Sequence, residues 1–385
     1  MKRLHVLIFM VFMVVQGYSQ TNLMDVKPWA YWLQSIDIQT IVNDTSFELI
    51  VIDYSSDGLD AQKWTTQQID SVKNSGKYAI SYISIGEAED YRYYWQPSWA
   101  TSPPSWLGPE NPDWPGNYKV RFWEAEWQNI VFGYIDTIIN QGFDGIYMDI
   151  IDAYYYWSVE NPEQPYADSL MCQFILNIRS YANSVTGNLN FILIPQNGED
   201  GWDQENVSSS LKSAYFNAIN AVGVEDVFFP GDLDENNPYD PDTYRIAILQ
   251  EYLTNNKQVY SVEYLTEPAK IAQYVDAAVV QNFVPFACTR ALDHLCGGIS
   301  LGLKDIEPNY INDIKVYPNP TNAALFISSS TGAKITEATI YNQVGQKVLH
   351  SKPVTQPIDV SMLRQGLYII EVIYGTRIMR RKFIK

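Results

Sequence analysis

The chain has 385 residues, 46% hydrophobic and 14% aromatic, and its 26 Lys and Arg against 44 Asp and Glu give a net charge of −18. That length allows one large domain and one small one. The charge is uneven, because residues 314–385 hold ten Lys and Arg against three Asp and Glu while residues 21–313 carry a net −27, which repels nucleic acid and anionic surfaces and favours neutral or cationic ligands.

In chain order, Lys2 and Arg3 precede an apolar run from Val6 to Val15 and the small-residue exit Gly17-Tyr18-Ser19. Residues 1–19 therefore read as a cleavable secretory signal, too short for a stable transmembrane anchor. No later stretch is apolar enough for a membrane helix, so a secreted chain is expected, free or attached to the cell surface after periplasmic passage. Apolar, β-branched or aromatic runs then recur at 29–33, 47–54, 78–86, 145–150, 190–196, 221–229, 258–265 and 283–289. Between most of them lie segments of helical spacing, including AQKWTTQQIDSVKNSG, EAEWQNIVFGYIDTIINQG and DSLMCQFILNIRSYANSV, with the first and fifth helices weakly marked. Strands buried on both faces lose the two-residue alternation, so eight continuous runs alternating with helices predict a parallel (β/α)8 TIM barrel over residues 20–296.

Near the carboxyl ends of these strands sit Asp53, Glu87, Asp149 with Asp152, Asn197, Glu225 and Glu263. Any one of the acids could cap a helix. Six consecutive strands ending in such groups point instead to a shared mouth, where barrels of this kind bind substrate. The three histidines, His5, His294 and His350, leave little room for a Ser-His-Asp or Cys-His arrangement, and neither a Walker loop nor a dinucleotide fingerprint is present. A carboxylate cluster then serves either as an acid pair that cleaves a glycosidic bond or as ligands for a hard cation. Aromatic content favours the first. Eleven of the thirty-seven residues from Tyr91 to Trp127 are Phe, Trp or Tyr, and Tyr154-Tyr155-Tyr156-Trp157 follows the Asp149 strand. Such rings offer faces to sugar C–H groups and to cations, with about half of them expected to pack the loop onto the barrel; no metal or cofactor is expected. Cys288 and Cys296 could form a disulfide or stand as buried free thiols, and both readings stay open.

The stretches ISYISIGEAEDYRYYW at 80–95, GFDGIYMDIIDAYYYW at 142–157, PQNG at 195–198 and GVEDVFF at 223–229 resemble glycoside hydrolase family 114. This is the endo-α-1,4-polygalactosaminidase family, formerly labelled cysteinyl-tRNA synthetase-related. The resemblance spans residues 29 to about 295. It implies a secreted hydrolase that cleaves galactosamine-rich polysaccharide with retention, with Asp149 as nucleophile and Glu225 as acid/base. It also implies a sugar-binding cleft at Asp53, Glu87, Tyr91, Asn197, Asp152 and Glu263, to which the aromatic run adds Tyr154. The segment GEDGWDQENVSSSLKSAY after Asn197 is longer than in the fungal enzymes of the family and is expected to reshape the cleft. A barrel that binds without turnover, or that acts on a neutral glycan, is the alternative.

The tail is similar to a second family. VYPNP at 316–320, IYNQVGQKV at 340–348, DVSMLRQGLYIIEV at 359–372 and the basic end RRKFIK resemble the C-terminal sorting domain of the type IX secretion system. Short alternating runs broken by Pro, Gly and Asn predict a small β-sandwich over 314–385, joined by a linker at 297–313. The expected partners are thus a polysaccharide, cationic by the charge argument, and the type IX machinery.

Overall fold

The computed structural model describes residues 21–187, 190–296, 314–329, 334–342, 347–354, 356–374 and 377–385. The expected leader at 1–19 and linker at 297–313 lie outside the described residues. The chain divides into two compact units, Met1–Ser300 and Leu301–Lys385.

Eight strands of the first unit coincide with the eight apolar runs: β1 Trp29–Trp32, β2 Leu49–Ile52, β3 Tyr78–Ser84, β4 Gly145–Asp149, β5 Ile192–Pro195, β6 Ala221–Glu225, β7 Gln258–Tyr264 and β8 Val284–Cys288. Parallel ladders join β1 through β5 in sequence order and β6 through β8 in a second set. Two seams close the barrel. Gln196 bridges Gly223 between β5 and β6, with the Asn197 N–H donating to the Gly223 carbonyl at 2.9 Å. At the other seam the Trp29 indole donates to the Val284 carbonyl at 3.0 Å, and Leu33 and Gln34 both donate to the carbonyl of Leu292 at 3.0 Å.

A helix follows each of the first seven strands: α1 Ile38–Asn43, α2 Thr66–Asn74, α3 Ala125–Gln141, α4 Ala167–Thr186, α5 Ser209–Ala218, α6 Thr243–Thr254 and α7 Pro268–Val280. The weakly marked α1 and α5 are nonetheless capped, by Asp37 on the Thr40 N–H and by Ser208 on the Leu211 N–H. Such caps satisfy amides that have no partner inside the helix.

The barrel interior is filled largely by rings. Trp29 lies 5.3 Å from Tyr260, 5.6 Å from Phe286 and 6.2 Å from Tyr147, centroid to centroid. Gly223 makes room for this packing, since a Cβ there would fall 1.9 Å from the Tyr147 hydroxyl. Between β3 and α3 the structure is more ordered than the extended loop expected from sequence. Strands Glu87–Glu89, Leu107–Glu110 and Asn117–Val120 form an antiparallel sheet with the last in the middle. Trp106, Phe122 and Trp127 are buried in packing, whereas Tyr91, Tyr93 and Trp114 stay exposed.

The second unit is all β. Strands Ile314–Tyr317, Ala324–Ser329 and Ile358–Asp359 form one antiparallel sheet, and Lys347–Ser351, Ile335–Tyr341, Leu367–Tyr374 and Arg377–Ile384 form another. Leu325, Ile327, Ala338, Ile340, Ile370, Val372 and Phe383 make its buried core. No helix of the described residues is long and apolar enough to cross a membrane.

Candidate active site

Parallel strands bring their carboxyl ends to one mouth, and three of them end in the same unusual way. Ile150 and Asp226 directly follow β4 and β6 and Asn197 lies two residues past β5, with φ of 59°, 51° and 59° respectively. This left-handed region is costly for a side chain, most of all for a β-branched one such as Ile150. Three such residues around one opening mark a place where side-chain aim is fixed at the expense of backbone comfort. Gly86 supports this, because a Cβ there would meet the Ile150 carbonyl at 2.1 Å.

Asp149 is the last residue of β4. Its Oδ2 accepts the Tyr82 hydroxyl at 2.7 Å and its Oδ1 accepts the Ile150 N–H at 2.8 Å. Burial pushes the Asp149 carboxyl well above the usual carboxylate range, the charge of Glu225 adds to the push, and the two donors oppose it. Glu225, the last residue of β6, is held at both oxygens. The Asn197 amide donates to Oε2 at 2.8 Å, and the Tyr264 hydroxyl at the end of β7 donates to Oε1. The Asn197 side chain also accepts the Glu225 N–H at 3.1 Å, so one amide fixes both ends of the residue.

A cleft of about 590 Å³ opens at this mouth. Glu225, Asn197, Glu87, Asp152, Tyr154 and Ile150 line it, whereas Asp149, the residue before Ile150, is not itself a lining residue. Glu87 is buried and takes the Asn111 amide at 2.9 Å and the Lys119 ammonium at 3.5 Å. Asp152 precedes the one-turn helix Ala153–Tyr155 without a capping bond from its side chain. Desolvation, followed by the charges of Glu225, Glu199 and Glu87, pushes its carboxyl up to about 6. Water in the open cleft screens part of that push. Tyr154 donates to Asp200 Oδ1 at 2.5 Å.

Three expected cleft residues are engaged elsewhere. Asp53 is buried and ion-paired to Arg92 at 2.7 Å, in a cluster where Glu89 takes the other edge of the guanidinium. Tyr91 does not line the cleft; its hydroxyl donates to Glu89, and its ring lies 4.9 Å from the Arg92 guanidinium. Glu263 is fully buried, accepting the N–H groups of Phe228 and Phe229 at 2.7 and 3.2 Å. A buried carboxyl needs partners for its oxygens, so Asp53 is held by its cation and Glu263 by backbone donors. Their job is to hold the loops after β3 and β6.

Residues that sequence reasoning passed over also line or support the mouth. Tyr82 and Tyr264 sit inside apolar runs and read as core. Glu199 and Asp200, in the long segment after Asn197, enter the cleft wall, where the Arg245 guanidinium pairs with Glu199 and donates to the Glu225 carbonyl at 2.9 Å. Exposed rings of Trp114, Tyr155 and Tyr244 complete the wall. Cys288 and Cys296 form a disulfide, with Cα atoms 5.6 Å apart, and Cys172 is a buried thiol.

A family model described as glycoside-hydrolase family GH114 matches residues 16–301, and one described as a secretion system C-terminal sorting domain matches residues 315–385. An uncharacterized protein of Methanocaldococcus jannaschii is 38% identical over 276 residues, covering 69% of this chain and 77% of its own length. Among solved structures, Ega3 of Aspergillus fumigatus in complex with galactosamine superposes with a TM-score of 0.53 at 16% identity, covering 73% of this chain and 99% of that one. The glycoside hydrolase domain of PelA from Pseudomonas aeruginosa gives 0.53 at 15% identity, with 71% and 98% covered. At those identities the likeness shows the barrel fold.

Proposed function

Since the chain belongs to glycoside-hydrolase family GH114 and is thus a glycoside hydrolase carrying a secretion sorting domain, we propose that it cleaves an α-1,4-linked, galactosamine-rich polysaccharide outside the cell, with Asp149 as nucleophile and Glu225 as acid/base. One observation carries the residue assignment: Asp149 and Glu225 are the last residues of two parallel strands that open on the same mouth, with donors on both oxygens of each carboxyl, from Tyr82 and the Ile150 N–H at Asp149 and from Asn197 and Tyr264 at Glu225.

A retaining mechanism needs the nucleophile as its carboxylate and a second carboxyl to supply and take back a proton. At Asp149 both partners are donors, which favours the anion there. The acid/base role then falls to Glu225, where the Tyr264 hydroxyl can donate to the carboxylate or accept from the acid. In the first step an Asp149 oxygen attacks the anomeric carbon, the C–O bond to the leaving sugar breaks, and that oxygen takes the Glu225 proton. In the second step Glu225, now a carboxylate, removes a proton from water, whose oxygen attacks the same carbon and releases Asp149. Two inversions give net retention.

The substrate assignment draws on the cleft's charge. Lys119 and Arg245 are both neutralised by acids of the wall, so Asp152, Glu160 and Asp200 leave the cleft suited to a chain of ammonium groups. The test is incubation of the purified protein with partially deacetylated polygalactosamine. Shorter oligomers from the wild type, and binding without cleavage by Glu225→Gln, are expected. Cleavage by Glu225→Gln at the wild-type rate would refute its role, and hydrolysis of neutral glycans alone would refute the substrate.

A further inference from the structure

The geometry points to Arg290 as the positioning residue for the acid/base carboxyl, acting on Glu225 through Tyr264 and Asp226; this rests on the role proposed for Glu225. Arg290 lies two residues past β8 and does not line the cleft. Its guanidinium carbon sits 4.0 Å from the Tyr264 ring centroid. Its Nη2 donates to Asp226 Oδ2 at 2.8 Å, and its Nε donates to the Asp234 carbonyl at 3.0 Å. One side chain thus grips the face of the tyrosine whose hydroxyl holds Glu225 Oε1, together with the carboxylate of the residue directly after Glu225.

Arg290 is itself anchored. It lies in the segment that the Cys288–Cys296 disulfide closes, and within that segment the Leu292 carbonyl receives the amides of Leu33 and Gln34 beyond β1. The brace therefore runs from the barrel seam to the end of β6. A planar guanidinium can stack on a ring and donate sideways at the same time, which a lysine ammonium cannot do.

Two effects on Glu225 follow. Stacking holds the Tyr264 ring in the plane from which its hydroxyl reaches Oε1. Pairing with Asp226 removes a like charge next to Glu225, whose anion is otherwise faced by Asp149 and Tyr147 of β4, Tyr31 of β1, Tyr264 of β7 and Asp152. Arg245 donates to the Glu225 carbonyl and is paired with Glu199. Without Arg290, Asp226 loses its guanidinium partner beside Glu225 and the Tyr264 ring loses the stack that aims its hydroxyl at Oε1.

The test is carbon-13 NMR titration of the full chain labelled at Glu carboxyls, with Glu225→Gln assigning the Glu225 signal, run beside hydrolysis kinetics. Arg290→Ala should displace the Glu225 carboxyl signal and its titration curve from those of the wild type and lower kcat about tenfold with KM within about twofold. Arg290→Lys, which can restore the Asp226 pair but not the stack, should recover part of both. Tyr264→Phe should reproduce the loss, and the double substitution should cost less than the product of the single effects, as expected for residues acting through one another. An unchanged Glu225 titration in Arg290→Ala and Arg290→Lys, or multiplicative kinetics in the double variant, would overturn the inference. Should Arg290→Ala not fold, Arg290→Lys and Tyr264→Phe decide it. If the wild type cleaves no galactosamine polymer while the titration still moves, the substrate reading fails and the positioning role stands.

Discussion

Tyr82 reaches from β3 to β4 and donates its hydroxyl to Oδ2 of Asp149 at 2.7 Å. The bond favours the ionised carboxyl, against burial and the Glu225 charge that push it toward the acid. Tyr82→Phe removes the donor, so the Asp149 pKa rises further and the anion forms only at higher pH. The acidic limb of the kcat/KM profile should move up by about one pH unit, with a smaller loss of rate above the limb. A pH–rate profile that superposes on the wild type would show that Tyr82 does not act on the ionisation that governs catalysis.

Glu263 gives a stability prediction. Burial raises its carboxyl from 4.5 to about 8, although the Phe228 and Phe229 amides pull the other way. Between those two values the folded chain holds a proton that the unfolded chain releases. Stability is therefore greatest below pH 4.5 as far as this group is concerned, and it declines as pH rises toward 8. Glu263→Gln keeps the shape without the proton. Melting temperatures across pH 5 to 8 should fall more steeply for the wild type than for the variant, and parallel slopes would contradict the assignment.

The Cys288–Cys296 bridge closes a short loop of sequence separation 8. In the chain-entropy picture a loop of that size restricts the unfolded state by about 2.5 kcal/mol. Replacing both cysteines with serine should lower stability by up to that amount. It should also lower kcat more than it raises KM, because the segment carries Arg290. Urea unfolding and kinetics on the same preparation measure both.

Substrate charge is testable without mutation. Asp152, Glu160 and Asp200 in the cleft wall should attract ammonium groups, and exposed attractions fade when the Debye length shrinks to about 3 Å near 1 M salt. Hydrolysis of deacetylated polygalactosamine should be faster than that of the fully N-acetylated polymer, with added salt raising KM for the former alone. Equal rates without a salt effect would mean a neutral glycan is the natural substrate.

The eight strands, the carboxyl-end position of Asp149 and Glu225, and the all-β tail could be read from the chain alone. Strands buried on both faces must be continuously apolar, and a polar residue ending such a run has to lie at an end of the barrel. Sequence could not tell which acids would be free. Asp53 and Glu263 occupy strand ends like the others, but their burial is answered by Arg92, 39 residues away, and by two backbone amides of the neighbouring loop. Tyr82 and Tyr264 were hidden for the opposite reason, since a tyrosine in an apolar run looks like core until its hydroxyl is seen to meet a carboxylate on the next strand or the one before. Pairing of Cys288 with Cys296 likewise needed the turn that brings their Cα atoms to 5.6 Å. The period of the hydrophobic pattern places a residue along the chain and on a face, but whether its charge is free depends on partners that only closure of the barrel brings into contact.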